Sequence, residues 1–306
     1  MQIYLPIAEL AVNVFLILGM GGAVGFVSGL FGVGGGFLLT PLLIFSGIPP
    51  SVAVATVTSQ VVASSTSGVL SYWRKGGVDF KLAGVLLCGG IIGSSLGVWL
   101  FSILRSLGQL DLIISVSYMV LLGAIGSMML IESARAVWRG ARGGSVSLRQ
   151  PGRHGWIHGL PFRVGFKKSR LYISVIPVVL LGLAIGFIGA ILGIGGGFIM
   201  VPALIYLLRV PGNVVIGTSL LQILVTMAVA TMLHAFTTGS VDVILGLILM
   251  VGGVLGAQFG ASAGQKLKGE QLRLLLALLI LAVGVRFLVD LAIEPTDLFS
   301  VAGLGG

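Results

Sequence analysis

Eight stretches of the chain run close to the length of a bilayer crossing with almost no charge, at roughly 10–30, 51–73, 82–104, 110–131, 172–192, 213–236, 243–263 and 271–292. A helix needs about 20 apolar residues to cross the hydrocarbon core of a membrane. The runs lack the polar alternation of barrel strands, so they predict spanning helices. Composition points the same way: 57% of residues are hydrophobic, 9% are charged and mean hydropathy is +1.14, which leaves too little polar surface to cover a soluble globule. Two further apolar pieces, Phe37 to Phe45 and Phe198 to Leu208, would rise only about 14 to 17 Å as helices, roughly half a crossing. They predict half-helices.

Both short pieces follow the same phrase, "GLFGVGGGFLLTP" from Gly29 and "AILGIGGGFIMVP" from Ala190. The match runs well beyond the glycines. Gly34, Gly35, Gly36 and Pro41 fall on Gly195, Gly196, Gly197 and Pro202, and Pro49, Thr56 and Gln60 fall on Pro211, Thr218 and Gln222. Val78 and Asp79 match Val241 and Asp242, and Gly89, Gly90, Gly93 and Gly97 match Gly252, Gly253, Gly256 and Gly260. One unit has been copied, giving a first membrane repeat over 1–132, a basic linker over 133–171 and a second repeat over 172–306.

An odd number of crossings per unit turns the second copy upside down. Nine of the 18 cationic residues lie between Arg135 and Arg170. Five segments per unit with this loop cytoplasmic put nearly all remaining Lys and Arg on the same side, as the positive-inside bias requires. Arg105 is the cation left outside. The expectation is an all-α polytopic membrane protein of ten helical segments in two inverted five-segment repeats, two of the segments being half-helices. It sits in a plasma or bacterial inner membrane with both termini outside. No Lys or Arg precedes the first run, so no cleaved signal is expected. The net charge of +9 is accounted for by a cytoplasmic loop facing anionic lipid, without nucleic acid.

Irregular glycine backbone in a membrane has to face protein or water, because lipid cannot satisfy its N–H and C=O groups. The helix after each triplet aims its N-terminal amides and positive dipole end back at the glycines, which suits an anion. Gly34, Gly35, Gly36, Gly195, Gly196 and Gly197 are therefore candidate solute contacts, while Pro41 and Pro202 are expected to end or kink the short helices in a structural role. On the next segment of each unit, Thr56, Gln60 and Ser64 are spaced four apart, as are Thr218, Gln222 and Thr226, so each trio lines one helix face. Ser and Thr in such helices often bond only to their own preceding carbonyls. A carboxamide is costly to leave unpaired in hydrocarbon, which makes Gln60 and Gln222 the stronger solute candidates. Asp79 and Asp242 read as helix N-caps. His234 reads as a packing or interfacial residue.

One cysteine and three histidines offer no spaced metal site, and no cofactor is indicated. Neither glycine triplet is followed by the lysine of a phosphate loop. No Asp or Glu lies near the centre of a predicted span, and no nucleophile and base are grouped as an enzyme would need.

The paired "GVGGGFLLTPLL" and "GIGGGFIMVPAL", the following "PPSVAVATVTSQ" and "PGNVVIGTSLLQ", and the "VD" that opens a later helix resemble the TauE/SafE family over about residues 8 to 292. The resemblance implies a membrane exporter of sulfite or small organosulfonates, with its site at the same glycines and polar trios. The expected partner is then a small anion moved by alternating access, with membrane lipid around the chain and a homo-oligomer left open. An anion channel, or a non-transporting assembly or lipid-binding factor, stays open as an alternative. The long basic central loop departs from the compact family pattern.

Overall fold

A computed structural model describes residues 2–31, 35–74, 76–141, 163–166, 168–169, 171–208, 210–264 and 269–292. Among them, ten helices follow in order: α1 (Val14–Phe31), α2 (Gly36–Phe45), α3 (Pro50–Arg74), α4 (Phe80–Ser106), α5 (Leu110–Ala141), α6 (Val175–Leu192), α7 (Gly197–Tyr206), α8 (Gly212–Thr237), α9 (Val243–Gly264) and α10 (Gly269–Ala292). The chain is an all-α polytopic membrane protein. Six helices, α4, α5, α6, α8, α9 and α10, are long and apolar enough to cross a membrane. The two half-helices, α2 and α7, start at the last glycine of each triplet. Pro41 and Pro202 lie inside them and do not end them: each helix continues four residues further. Proline lacks an N–H, so the loss falls on one hydrogen bond near the N-terminus rather than on the helix as a whole.

A β-hairpin that hydropathy alone does not reveal precedes α1, and another precedes α6. β1 (Gln2–Leu5) pairs antiparallel with β2 (Leu10–Asn13), and β3 (Arg163–Phe166) with β4 (Leu171–Ser174). The second hairpin spans the expected boundary between linker and second repeat, and β4 takes up the start of the apolar run expected to be helical from 172. Both hairpins end on a residue that caps the next helix. Asn13 Oδ1 accepts the Phe15 N–H at 3.0 Å, and Ser174 Oγ accepts the Ile176 N–H at 3.3 Å.

The most extensive packing joins helices of different repeats, α1 with α9 and α4 with α6. Glycine makes it: a methyl on Gly25 would run into the Gly253 carbonyl, and one on Gly29 into that of Ala257. Gly89 meets Val179 and Gly93 meets Leu183 in the same way. In both pairs the numbering climbs together, so the helices run parallel with backbones in contact, as small residues allow in membranes. The corresponding helices α3 and α8 instead run antiparallel. Thr231 Oγ1 donates to Thr58 Oγ1 at 2.9 Å, while Gly68 lies against Leu220. α5 and α10 are also antiparallel, with Tyr118 stacked on Phe287 at 5.3 Å and Gly126 against Leu281. Large apolar side chains face outward, Phe236 at 88% and Phe259 at 71% exposure, as a hydrocarbon surround permits.

Candidate functional site

The first turns of the two half-helices meet. Phe37 of α2 and Phe198 of α7 lie with ring centroids 5.2 Å apart. A methyl on Gly36 would come within 2.5 Å of the Gly193 carbonyl, so each glycine motif packs on the other. Gly195 and Gly196 both hold φ near +74°, a left-handed conformation that a side chain resists. Gly196 is also closed in by Ile185. Gly35 lies against Val24. Gly34 lies outside the described residues. The five described glycines of the two triplets are all buried. Leu39 and Met200 begin the helical hydrogen-bond ladders, donating to the Gly35 and Gly196 carbonyls at 3.2 and 2.8 Å. The amides of Gly36, Phe37, Gly197 and Phe198 come before those ladders, as first-turn amides do.

Both polar trios face the other repeat. Gln60 sits on Gly253 of α9, where a methyl would come within 2.5 Å of its Nε2, and Gln222 sits on Gly90 of α4, with the corresponding distance 2.8 Å. Both glutamines are at most 1% exposed, and in both the Oε1 has no hydrogen-bond partner. Gln222 Nε2 lies 3.5 Å from Thr226 Oγ1. Thr226 and Ser64 donate to the carbonyls of Gln222 and Val61, at 2.8 and 3.1 Å. No hydrogen bond links one trio to the other among the described residues.

Thr56 and Thr218 do something different. The Thr56 hydroxyl oxygen accepts the backbone N–H of Asp242, and that of Thr218 the N–H of Asp79, both at 3.0 Å. Each aspartate caps its own helix: Asp79 Oδ1 accepts from the Lys81 and Leu82 amides at 3.1 and 3.2 Å, and Asp242 Oδ1 from the Leu245 amide at 3.0 Å. Their second oxygens hold the hairpins. Asp79 Oδ2 accepts from the amide and hydroxyl of Ser169, at 3.0 and 2.7 Å, and Asp242 Oδ2 accepts from the Ile7 amide at 3.2 Å. Asp79 and Asp242 thus each clasp a helix and a hairpin turn from the other half of the chain. Because α3 and α8 are antiparallel, the two clasps lie at opposite ends of the bundle. One has an extra cation, as Lys168 Nζ donates to the Val78 carbonyl at 3.2 Å.

Ile7, Ser169, Gly90 and Gly253 are the members of this arrangement that carry no motif of their own. The internal repeat does pair Gly90 with Gly253, and that correspondence was the available signal; at the offset of 161 set by the glycine triplets Ile7 falls on Lys168, so the repeat does not pair Ile7 with Ser169. Among the described residues no three His, Cys, Asp or Glu are grouped to hold an ion.

The model of the family described as sulfite exporter TauE/SafE matches residues 17–287. The chain belongs to the TauE/SafE family. Among relatives, this TauE/SafE chain is 30% identical to the probable membrane transporter protein YjnA of Bacillus subtilis over 279 residues, covering 90% of the chain and 100% of that protein. It is 30% identical to a probable membrane transporter protein of Xylella fastidiosa (strain 9a5c), covering 89% and 94%. A shorter match of 48 residues, 46% identical, joins it to the sulfite exporter TauE/SafE family protein 5 of Arabidopsis thaliana, over 16% and 11% of the two chains. No solved structure matches it significantly. Membership makes this TauE/SafE chain a multi-pass membrane transporter, and the glycine motifs, trios and both clasp aspartates lie within the matched span, with Ile7 of the first hairpin ahead of it.

Proposed function

We propose that this protein is a secondary transporter that exports a small oxyanion, sulfite or an organosulfonate, by alternating access between two inverted repeats. The observation that carries the reading is the matched pair of buried glutamines, Gln60 and Gln222, each with an unmet carboxamide oxygen beside a glycine of the other repeat. A buried amide left short of a partner costs about 1–3 kcal/mol, and a residue kept at that cost in both copies has a use besides packing. The amide group turns about its last torsion to present N–H donors, and the first-turn amides of Gly36, Phe37, Gly197 and Phe198 add further donors and a favourable dipole. Thr56, Ser64, Thr218 and Thr226 complete the polar lining.

Inversion of the repeats is supported by α3 against α8 and α5 against α10, since helices that correspond in sequence run antiparallel. The conformation described is closed at both ends, with Asp79 and Asp242 each holding a hairpin from the other half of the chain. Alternating access then consists of releasing one clasp while the other holds. A packed glycine core favours this over an open channel. An inside-negative potential supplies about 2.3 kcal/mol per charge per 100 mV for an anion leaving the cell, so export needs no ATP. The basic 133–171 loop lies on the cytoplasmic side against anionic lipid in this reading.

The test is flux from liposomes loaded with sulfite, taurine or methanesulfonate under an imposed potential. Saturable efflux with counterflow is expected. Unsaturable flux would make the protein a channel, and no flux of any of the three would end the oxyanion reading.

A further inference from the structure

A second set of residues leads from the Gln222 end of the trio towards one face of the membrane. On α8, Gln222, Thr226, Ala230 and His234 follow at intervals of four, a stripe that winds about 40° round the helix at each step, and Thr238 caps the helix C-terminus. α4 follows this winding stripe rung by rung. Gly90 lies against Gln222 and Thr226, and Val98 packs with Ala230 and Ala190. Phe101 meets the His234 ring edge-on, with centroids 4.6 Å apart. Arg105 donates to the Thr238 carbonyl and, at 2.6 Å, to Ser240 Oγ. From Gln222 to Thr238 the seam climbs about 24 Å.

Two features of this seam go beyond packing. His234 is fully buried and its Nε2 lies 3.1 Å from the Ala190 carbonyl, yet its Nδ1 has no partner. With Gln222 Oε1, that leaves two unmet polar atoms on one stripe. The seam also ends in a shallow cavity of about 320 Å³, open to the surface and lined by Ser102, Arg105, Ser106, Thr237 and Thr238, of which Arg105, Ser106 and Thr237 are exposed. The Ser102, Ser106 and Thr237 hydroxyls donate to carbonyls of their own helices, at 2.7, 2.7 and 2.6 Å. Arg105 is therefore the donor of the cavity. A guanidinium carries five N–H groups in a fork that matches an oxyanion, and the bonds to Thr238 and Ser240 use only part of it. Capping the C-terminus of α8 would account for Arg105 alone. It accounts for neither the buried imidazole nor the cavity.

We propose that the α4–α8 seam is the path between the centre of the protein and one face, that the Arg105 cavity is the oxyanion's docking site on that face, and that Phe101 against His234 is the constriction between them. The proposal rests on the transport reading above and adds a route and an outer site to it.

The test uses full-length protein with Cys88→Ala, reconstituted in liposomes of known orientation. Ala230→Cys or Val98→Cys is added and probed with a membrane-impermeant sulfonated maleimide, using methanesulfonate as the solute. Labelling is expected from the Arg105 face only, at least tenfold faster during turnover. In parallel, Arg105→Gln should raise the half-saturating methanesulfonate on the Arg105 face at least tenfold, with less than a twofold change on the other face and an intermediate effect for Arg105→Lys. A purely structural cap would lower protein stability without separating the faces. Methanesulfonate flux with both cysteines unlabelled, or an Arg105→Gln shift equal on the two faces, would overturn the proposal. If the protein moves no oxyanion, the transport reading falls, and the labelling still decides the seam: one-sided modification upholds the route and complete protection removes it.

Discussion

The hydroxyl of Thr218 accepts the backbone N–H of Asp79 at 3.0 Å, and the relationship is repeated, with the repeats exchanged, between Thr56 and Asp242. Both contacts join residues more than a hundred positions apart, and each sits where a hairpin turn, a helix N-terminus and a polar stripe converge.

Loss of either carboxylate should therefore open one end of the bundle and leave the other shut. Asp79→Ala is expected to expose residues around Thr218 to an impermeant thiol reagent from one side, and Asp242→Ala those around Thr56 from the other. Cysteine labelling at Val215 and at Ala53 reads the two ends separately, and equal exposure at both ends in either variant would contradict this.

The same two variants should differ in stability. An N-cap is worth about 0.5–2 kcal/mol and a hydrogen bond to a charged group about 1.5–3 kcal/mol. Asp79 accepts from four donors among the described residues and Asp242 from two, so Asp79→Ala should melt at the lower temperature in detergent.

Gln222→Leu should separate function from folding. The substitution removes an unmet buried carboxamide oxygen and keeps side-chain bulk, so the melting temperature is expected to hold or rise while oxyanion flux falls at least tenfold. A parallel loss of stability and flux would mark Gln222 as an interhelical contact.

Glycines of the inter-repeat contacts should tolerate nothing larger. Gly93→Val and Gly256→Val drive side chains into the Leu183 and Gly22 carbonyls, and about 1–3 kcal/mol or more of destabilisation is expected for each. Gly84→Ala, which has open space around it inside α4, serves as the control and should hold or raise the melting temperature.

Orientation can be read directly. In sealed right-side-out vesicles lacking Cys88, Ser147→Cys in the basic loop should resist an impermeant maleimide, and Leu107→Cys, exposed at the end of α4, should react. The reverse pattern would invert the charge-based topology.

The ten helices were legible because apolar runs and their punctuation fall together: Asp79 marks the start of α4, Gly36 and Gly197 the starts of the half-helices. The hairpins were not legible. "IYLPIAELAVN" is continuous with the apolar run of α1, and its turn, Pro6 to Glu9, carries none of the Asn-Gly or Asp-Gly pairs that advertise a tight hairpin. Within the candidate site, spacing singled out both glutamines and identified the aspartates as caps. The same aspartates' grip on Ile7 and Ser169 depends on residues brought from the other half of the chain, which no local pattern encodes. His234 looked ordinary for the same reason, since its place on the α4 seam follows from Phe101 and Ala190.

The parallel pairing of α1 with α9 has a consequence for biosynthesis. Gly25 emerges from the ribosome about 230 residues before the Gly253 it must touch, a wait of about 10 to 45 s at ordinary elongation rates. For α4 the wait for α6 is shorter but real. Nascent α1 therefore enters the bilayer with a naked glycine stripe and no mate, and the first half of the polypeptide cannot mature until the second is made. Two separately expressed halves would have to find each other before either could bury its glycine stripe.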